Sequence, residues 1–167
     1  MKKNIVLVGL MGAGKSTVGR HLAKRLKMDF YDSDAEIEQR TGVNIATIFE
    51  IEGEEGFRTR EEQMISELCE LDNIILATGG GSVLSQKNRQ IIQETGHVIY
   101  LSTSAEQLYA RISHDKSRPL MQTDNPLKTL TDLLSKRESY YLEVADSIIK
   151  TGQQRINVVI SRILSSL

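Results

Sequence analysis

The sequence predicts an α/β fold in which one parallel β-sheet is covered by helices. Short apolar runs alternate with longer amphipathic stretches along the chain, which is typical of strands joined by crossover helices. The length of 167 residues suits a single domain, and 40% hydrophobic residues are enough to fill its core without disulfides or structural metals. We therefore predict one domain, residues 1–167, and exclude a disordered chain or a small disulfide-stapled scaffold.

Five apolar runs are the predicted strands. They cover residues 5–8, 30–31, 74–77, 98–101 and 148–149. The amphipathic stretches between them predict helices over residues 14–27, 54–71, 85–95, 105–113, 127–141 and 153–167. Because each strand is separated from the next by at least one helical stretch, the connections predict parallel pairing.

Charge and cysteine content limit the partners of the chain. Twenty-one Lys and Arg against 22 Asp and Glu leave a net charge of -1, so no overall positive field is present to hold nucleic acid or an anionic membrane. The only cysteine, Cys69, lies in a helical pattern and is predicted to be an inert core thiol. No apolar run is long enough for a signal-peptide core or a membrane span. We expect a cytoplasmic monomer without a transition-metal site.

Residues 9–17, Gly-Leu-Met-Gly-Ala-Gly-Lys-Ser-Thr, match the phosphate-binding pattern G-x-x-x-x-G-K-S/T at every fixed position. They lie between the first predicted strand and the first predicted helix, where loop N–H groups and a helix N-terminus favour an anion. Lys15 suits the β- and γ-phosphates as a catalytic cation, and Ser16 suits a bridging Mg²⁺. The alternative is a glycine-rich turn that opens a helix. The predicted nucleotide-binding residues of this loop are Gly12, Ala13, Gly14, Lys15, Ser16 and Thr17.

The rest of the sequence indicates what happens to the nucleotide. The Asn-Lys-x-Asp string of a guanine-binding GTPase does not occur, and nothing resembles the signature loop of a transporter ATPase. Residues 114–125 are polar and aperiodic, contain Pro119 and precede Pro126. A loop of that length favours a lid over a disordered surface excursion. Together these features favour phosphoryl transfer to a small molecule.

Polar residues and glycines follow the second and third predicted strands. Residues 32–34, Asp-Ser-Asp, and residues 78–82, Thr-Gly-Gly-Gly-Ser, both fall at the carboxyl edge of a parallel sheet, where ligands bind. A capping box of Ser33 and Glu36 is an alternative role for the first segment. The three glycines suit a backbone that approaches a ligand closely, or form a plain flexible loop.

Two arginines, Arg58 and Arg60, fall in the predicted helix 54–71 together with several glutamates. Either can lie on a solvated face and pair at helical spacing, and for Arg60 we favour that interpretation. Arg58 is the better candidate for binding an acidic ligand through its planar, bidentate guanidinium.

Six motifs occur together in one order along the chain. They are the phosphate-binding loop, Asp32-Ser33-Asp34, Phe57-Arg58-x-x-Glu61, Gly79-Gly80-Gly81, Arg118-Pro119-Leu120 and Arg137-x-x-x-Tyr141. In this order and spacing the chain resembles the shikimate kinases over essentially its whole length. The resemblance implies a three-layer P-loop kinase fold with five parallel strands in the order 2-3-1-4-5, a substrate-binding region at 32–62 and a lid at 112–125. It also implies that ATP phosphorylates the 3-hydroxyl of shikimate in aromatic amino-acid biosynthesis.

The resemblance implies roles for the residues on the acceptor side. Asp34 would accept hydrogen bonds from the shikimate hydroxyls and orient or deprotonate the attacking one. Arg58 and Arg137 would bind the carboxylate, and the Gly80 N–H would contact the substrate. These roles agree with the chemistry of shikimate, because a small carboxylate with vicinal hydroxyls needs a planar bidentate donor and a hydrogen-bond acceptor.

The resemblance implies a second set of roles on the nucleotide side. Asp32 would hold Mg²⁺ through water alongside Ser16. In the lid, Arg118 would reach the phosphates. Arg111 would lie against the adenine, since the chain has no Trp to stack on it. Gln154 would lie near the adenine pocket.

Two other functions are considered. One is a different small-molecule kinase of the same fold, acting on gluconate or a nucleoside monophosphate; Asp32 and Asp34 with Arg58 and the three glycines argue against it. The other is a noncatalytic nucleotide-binding module, against which the complete set of Lys15, Ser16 and Asp32 argues.

Overall fold

A five-stranded parallel sheet is the centre of the fold. The computed structural model describes residues 2–113 and 123–167. The strands within these ranges are Asn4–Val8 (β1), Asp29–Asp32 (β2), Ile74–Ala77 (β3), Gly96–Ser102 (β4) and Ser147–Lys150 (β5). The helices there are Lys15–Leu26 (α1), Ser33–Thr41 (α2), Ile45–Cys69 (α3), Gln86–Thr95 (α4), Ala105–Ile112 (α5), Pro126–Val144 (α6) and Ile156–Ser166 (α7). The predicted α/β class is confirmed.

The strand order is β2-β3-β1-β4-β5, which confirms the order implied by the resemblance. The central strand β1 pairs with β3 and β4, and all pairings are parallel. Leu7 of β1, for example, lies opposite Ala77 on one side and Ile99 on the other. The phosphate-binding loop and the segments that follow β2 and β3 therefore leave the sheet at the same edge.

Alternate strand residues face two apolar cores, one on each side of the sheet. Ile5 and Leu7 lie in the first core, against residues of α1, α5 and α7. Val6 and Val8 lie in the second core, against residues of α2, α3, α4 and α6. Helices thus cover both faces and form the three layers. Cys69 lies in the second core, where burial raises the pKa of its thiol, as expected for an inert core cysteine.

The third helix, α3, begins earlier than predicted. α3 begins at Ile45 rather than at 54, and it bends at Gly53, whose φ is 73°. The Asn44 side chain caps its start by accepting a hydrogen bond from the Thr47 N–H at 2.8 Å. The apolar pattern did not reveal this first part of the helix, because the bend turns the helix face and interrupts the periodicity.

Residues 114–122 lie outside the described part of the chain. They include Arg118 and most of the predicted lid at 112–125. On either side of them, α5 ends at Ile112 and α6 begins at Pro126. Within the two described ranges, none of the helices is both long and apolar enough to cross a membrane.

Candidate active site

The loop between β1 and α1 has the conformation expected of a phosphate-binding loop. Gly12 and Gly14 have φ angles of 81° and 93°, which L side chains rarely adopt. A Cβ on Gly12 would also lie 2.7 Å from Cγ2 of Ile112, so glycine is required there for packing against α5. Gly14 is the N-cap of α1 and provides no side-chain cap, which leaves the positive end of the helix dipole facing the loop.

The Lys15 ammonium lies across this loop. Its Nζ donates to the Gly9 carbonyl at 2.7 Å and to the Leu10 carbonyl at 3.0 Å. Its charge also lowers the pKa of Asp34, so the ammonium lies close to the residues after β2. Lys15 therefore connects the phosphate-binding loop electrostatically with the neighbouring carboxylate.

Asp32 joins the phosphate-binding loop to α2. Its Oδ2 accepts a short hydrogen bond from the Ser16 hydroxyl, and its Oδ1 accepts one from the Ala35 N–H at 3.1 Å. Asp32 is thus the N-cap of α2, which excludes the alternative of a capping box of Ser33 and Glu36. Ser33 is buried instead, and its hydroxyl accepts a hydrogen bond from the N–H of the first glycine after β3.

Ser16 and Asp32 fit a magnesium ion held together with a nucleotide. Mg²⁺ sites in kinases use one or two protein oxygens, with substrate phosphates and waters completing the octahedron. A hydroxyl and a carboxylate in contact provide such a pair. The described residues contain no group of three or more His, Cys, Asp or Glu side chains that would form an all-protein metal cage.

Asp34 carries a carboxylate oxygen without a partner. Its Oδ1 is buried and has no hydrogen bond in the structure. Burial raises the pKa of Asp34 to about 6, helped by the charge of Asp32 and opposed by Lys15 and Arg58. The side chain can therefore accept a hydrogen bond from a ligand hydroxyl at no cost to an internal contact.

Arg58 is held by a buried carboxylate on its own helix. Its Nη1 donates to Glu61 Oε1 at 2.8 Å, and its Nε lies 3.6 Å from Oε1 of the exposed Glu54. Burial raises the pKa of Glu61 to about 7, although Arg58 acts in the opposite direction. The Arg58 side chain stays 24% exposed, and its Nε is buried without a hydrogen bond, so the guanidinium keeps an unused donor.

Arg60 lies on the solvated face, as predicted. It is exposed and forms an ion pair with Glu52 at 2.8 Å. The two residues are eight positions apart rather than at the expected helical spacing. The bend at Gly53 lies between them, and a second pair eight positions apart across it, Phe49 and Phe57, has ring centroids 4.8 Å apart.

The first and third glycines after β3 are in close contact with charged groups. A Cβ on Gly79 would lie 2.8 Å from both Asp34 Oδ1 and Glu61 Oε2. A Cβ on Gly81 would lie 2.7 Å from Nη1 of Arg58. Side chains at these two positions would push the carboxylates and the guanidinium away from the loop. The close approach excludes a plain flexible loop.

Gly80 lies between the phosphate-binding loop and α6. A Cβ on this glycine would be 3.4 Å from the Met11 nitrogen and 3.5 Å from Nη1 of Arg137. Arg137 and Arg58 thus flank the same three glycines. The structure brings the predicted acceptor residues, Asp34, Arg58, Gly80 and Arg137, to one place beside the phosphate-binding loop.

The two predicted adenine residues lie on the other side of the loop. Arg111 donates to the Gly12 carbonyl at 2.9 Å and to the Gly152 carbonyl at 2.5 Å. Arg111 thereby joins the phosphate-binding loop to the turn after β5. Gln154 is exposed in that turn, and its Oε1 would lie 3.5 Å from a Cβ on Gly152.

Sequence reasoning assigned no role to two residues of this site. Glu61 is 1% exposed and pairs with Arg58. The sequence does indicate this pair, because Glu61 follows Arg58 by three residues on a predicted helix. Tyr141 is fully buried, and its hydroxyl donates to the Gly80 carbonyl at 2.5 Å. Nothing local indicates that contact, because the two residues are 61 positions apart.

Replacing Glu61 by Gln is expected to change how stability depends on pH. With its pKa raised from 4.5 to about 7, Glu61 holds between these two pH values a proton that the unfolded chain releases. The resulting stability is present below pH 4.5 and is lost as the pH rises to about 7. Wild type should therefore lose roughly 1 to 3 kcal/mol relative to the uncharged E61Q variant between pH 4.5 and 8. Denaturant unfolding of the ligand-free proteins measures this difference.

The matched control is Glu55→Gln, an exposed glutamate on the same helix. This variant should follow the wild-type curve at every pH. Parallel curves for wild type and E61Q would contradict a buried Glu61 that is protonated in the folded state.

The chain is similar to proteins of one enzyme family. The family model described as shikimate kinase matches residues 11–167. A shikimate kinase of Nitrosococcus oceani is 56% identical over 164 residues, which are 98% of this chain and 86% of that protein. A solved structure of the shikimate kinase from Acinetobacter baumannii in complex with shikimate has a TM-score of 0.95 and 48% identity, over 99% of this chain and 92% of that one.

A more distant likeness extends to kinases of other substrates. The gluconokinase from Sinorhizobium meliloti has a TM-score of 0.58 and 16% identity, over 99% of this chain and 93% of that one. At that identity the likeness shows the fold alone, so it does not favour gluconate as a substrate.

Proposed function

The chain belongs to the shikimate kinase family, and on that premise we propose how its residues transfer the γ-phosphoryl group of ATP to the 3-hydroxyl of shikimate. The observation that carries the proposal is the convergence of Asp34, Arg58, Gly80 and Arg137 beside the phosphate-binding loop. A hydrogen-bond acceptor and two guanidinium groups suit a hydroxylated carboxylic acid placed next to a triphosphate.

Arg58 and Arg137 bind the carboxylate of shikimate in this proposal. They flank the three glycines, and Arg58 keeps a donor without a hydrogen bond, Nε, while Glu61 accepts from its Nη1. The Gly80 N–H donates to the substrate; among the described residues this N–H donates no hydrogen bond. The proposed substrate-binding site therefore combines the region 32–62 with Gly80 and Arg137, which lie later in the sequence.

Asp34 accepts the hydrogen bond of the 3-hydroxyl. The unpartnered Oδ1 supports this role, because a buried acceptor gains most from a ligand donor. As the hydroxyl oxygen forms its bond to the γ-phosphorus, the bond to the ADP oxygen breaks and the hydroxyl proton passes to Asp34. The products are shikimate 3-phosphate and ADP.

The nucleotide phosphates bind to the loop of residues 12–17 and to the N-terminus of α1. Lys15 stabilises the charge that spreads over the γ-phosphoryl oxygens. Ser16 and, through water, Asp32 would hold Mg²⁺, which would neutralise part of the charge of the phosphates. Arg118 and the lid at 112–125 stay predictions, since residues 114–122 lie outside the described part of the chain.

The adenine ring lies beside Arg111 and Gln154 in this proposal. The two hydrogen bonds of Arg111 support it, because they fix the guanidinium plane between the Gly12 and Gly152 carbonyls. A fixed guanidinium offers a flat, cationic surface to a purine.

We also propose that the enzyme acts as a cytoplasmic monomer that binds neither nucleic acid nor membranes. The net charge of -1 supports the absence of polyanionic partners.

Release of ADP measured with different acceptors tests the function directly. With ATP and Mg²⁺ present, shikimate should raise turnover at least tenfold above the rate without an acceptor. Gluconate and AMP should leave the rate near that background, because neither combines a ring carboxylate with hydroxyls at the spacing of Arg58 and Asp34. A higher rate with gluconate or AMP than with shikimate would make the assignment wrong.

A further inference from the structure

The Tyr141 hydroxyl reaches from the second core to the glycines after β3. Tyr141 lies on α6 and is fully buried, with its ring stacked on Tyr100 at a centroid distance of 5.0 Å. A phenylalanine ring would keep this packing. What the hydroxyl adds is the hydrogen bond that it donates to the Gly80 carbonyl.

This hydrogen bond completes the set that holds the three glycines. The Gly79 carbonyl accepts from the Ser82 N–H at 3.1 Å and from the Ser82 hydroxyl at 2.7 Å. The Gly81 carbonyl accepts from the Leu84 N–H at 3.1 Å. These donors are close in sequence to the glycines. The Gly80 carbonyl, which lies between the other two, instead accepts its hydrogen bond from Tyr141 on α6.

Holding one carbonyl orients a whole peptide unit. Because the peptide bond is planar, the Tyr141 hydroxyl fixes the plane between Gly80 and Gly81. Glycines have the largest freedom to rotate away from such an orientation. Arg58 packs against Gly81 and Arg137 lies beside Gly80, so each guanidinium group adjoins one of the two residues that this plane joins.

Arg137 is one helical turn before Tyr141, and its Nη1 lies 3.5 Å from where a Cβ on Gly80 would be. Burial raises the pKa of Tyr141, although the Arg137 charge opposes the shift. The hydroxyl therefore keeps its proton at neutral pH and acts as a donor toward Gly80. The Tyr141 hydroxyl and the Arg137 guanidinium thus both lie beside Gly80.

We propose that Tyr141 is a positioning residue for the acceptor: its hydroxyl holds the Gly80–Gly81 peptide plane, beside which Arg137 lies, in the arrangement that the substrate carboxylate requires. This inference rests on the proposed function of Arg137 and Gly80. It assigns Tyr141 no contact with the substrate itself. Loss of the hydroxyl should change nucleotide binding little, because Lys15 and the N-terminus of α1 are held by other contacts.

The experiment compares wild type with Tyr141→Phe, which keeps the ring and removes the hydroxyl. Initial rates are measured with shikimate varied at saturating ATP, and with ATP varied at saturating shikimate. The KM for shikimate should rise about three- to tenfold, as expected for one lost hydrogen bond. The KM for ATP should stay within about twofold, and hydrogen exchange in a peptide covering residues 79–84 should become faster.

Tyr140→Phe is the matched control. Tyr140 is the neighbouring residue on α6 and lies under the Arg89 guanidinium, which is 4.5 Å from its ring centroid. Its loss of a hydroxyl should change neither KM. Comparing the two variants therefore shows whether the effect is specific to the hydroxyl at position 141 or follows from removing any tyrosine hydroxyl on this helix.

Three outcomes would overturn the inference. An unchanged KM for shikimate in an active Y141F enzyme, even with a lower melting temperature, would make the hydroxyl a structural group only. An equal rise in both KM values would indicate general loosening rather than positioning of the acceptor. Absence of shikimate-dependent ADP release in wild type would overturn the proposed function, and this inference with it.

Discussion

Replacing Asp34 by Asn is expected to lower kcat by about 10² to 10⁴. The amide has nearly the size of the carboxylate, so it fits the same space beside Gly79. It cannot take up the hydroxyl proton, and its NH₂ group cannot accept a hydrogen bond from the attacking hydroxyl. Initial rates at saturating ATP and shikimate measure the effect. The KM for ATP should change little, because the phosphate-binding loop does not contain Asp34.

Asp29→Asn is the control for this variant. Asp29 is exposed at the opposite end of β2, and the same chemical change there should leave kcat within about twofold. A D34N enzyme that retained more than a tenth of the wild-type kcat would show that Asp34 is not the proton acceptor. Melting temperatures of both variants separate loss of catalysis from loss of folding.

Replacing Arg58 by Ala is expected to weaken shikimate binding by about 30-fold to several thousand-fold. This range corresponds to the roughly 2 to 5 kcal/mol lost when one partner of a desolvated charge pair is removed. The variant should lose affinity for shikimate in particular, because Arg58 packs against Gly81, next to the proposed carboxylate site. The affinity for ATP should stay within about threefold. Calorimetric titration with each ligand measures both affinities.

The chain offers a close control in Arg60→Ala. Arg60 lies two positions away on the same helix, but it is exposed and pairs with Glu52. The variant loses the same charge as R58A and should bind both ligands as wild type does. If R58A lost affinity for shikimate and for ATP equally, the assignment of Arg58 to the shikimate site would be contradicted. A melting temperature close to that of wild type would exclude partial unfolding as the cause.

Sequence patterns predicted the class of fold and most of its elements. All five strands were found: the three central ones are largely buried and form short apolar runs, and the edge strands β2 and β5 each carry two consecutive apolar residues. The phosphate-binding loop was found because its groups are consecutive in sequence. The start of α3 was missed, since the bend at Gly53 interrupts the apolar periodicity. Asp32 was assigned to magnesium alone, although it also caps α2.

Residue type and spacing along the chain by themselves determined the parallel α/β sheet, the phosphate-binding loop and the family resemblance. These features depend on short-range periodicity, which the sequence carries directly. Only the tertiary structure decided that Glu61 is a buried partner of Arg58 and that Tyr141 holds Gly80. The physical reason is that burial sets the pKa of Glu61 and that a contact across 61 residues exists only after the sheet has brought its loops to one edge.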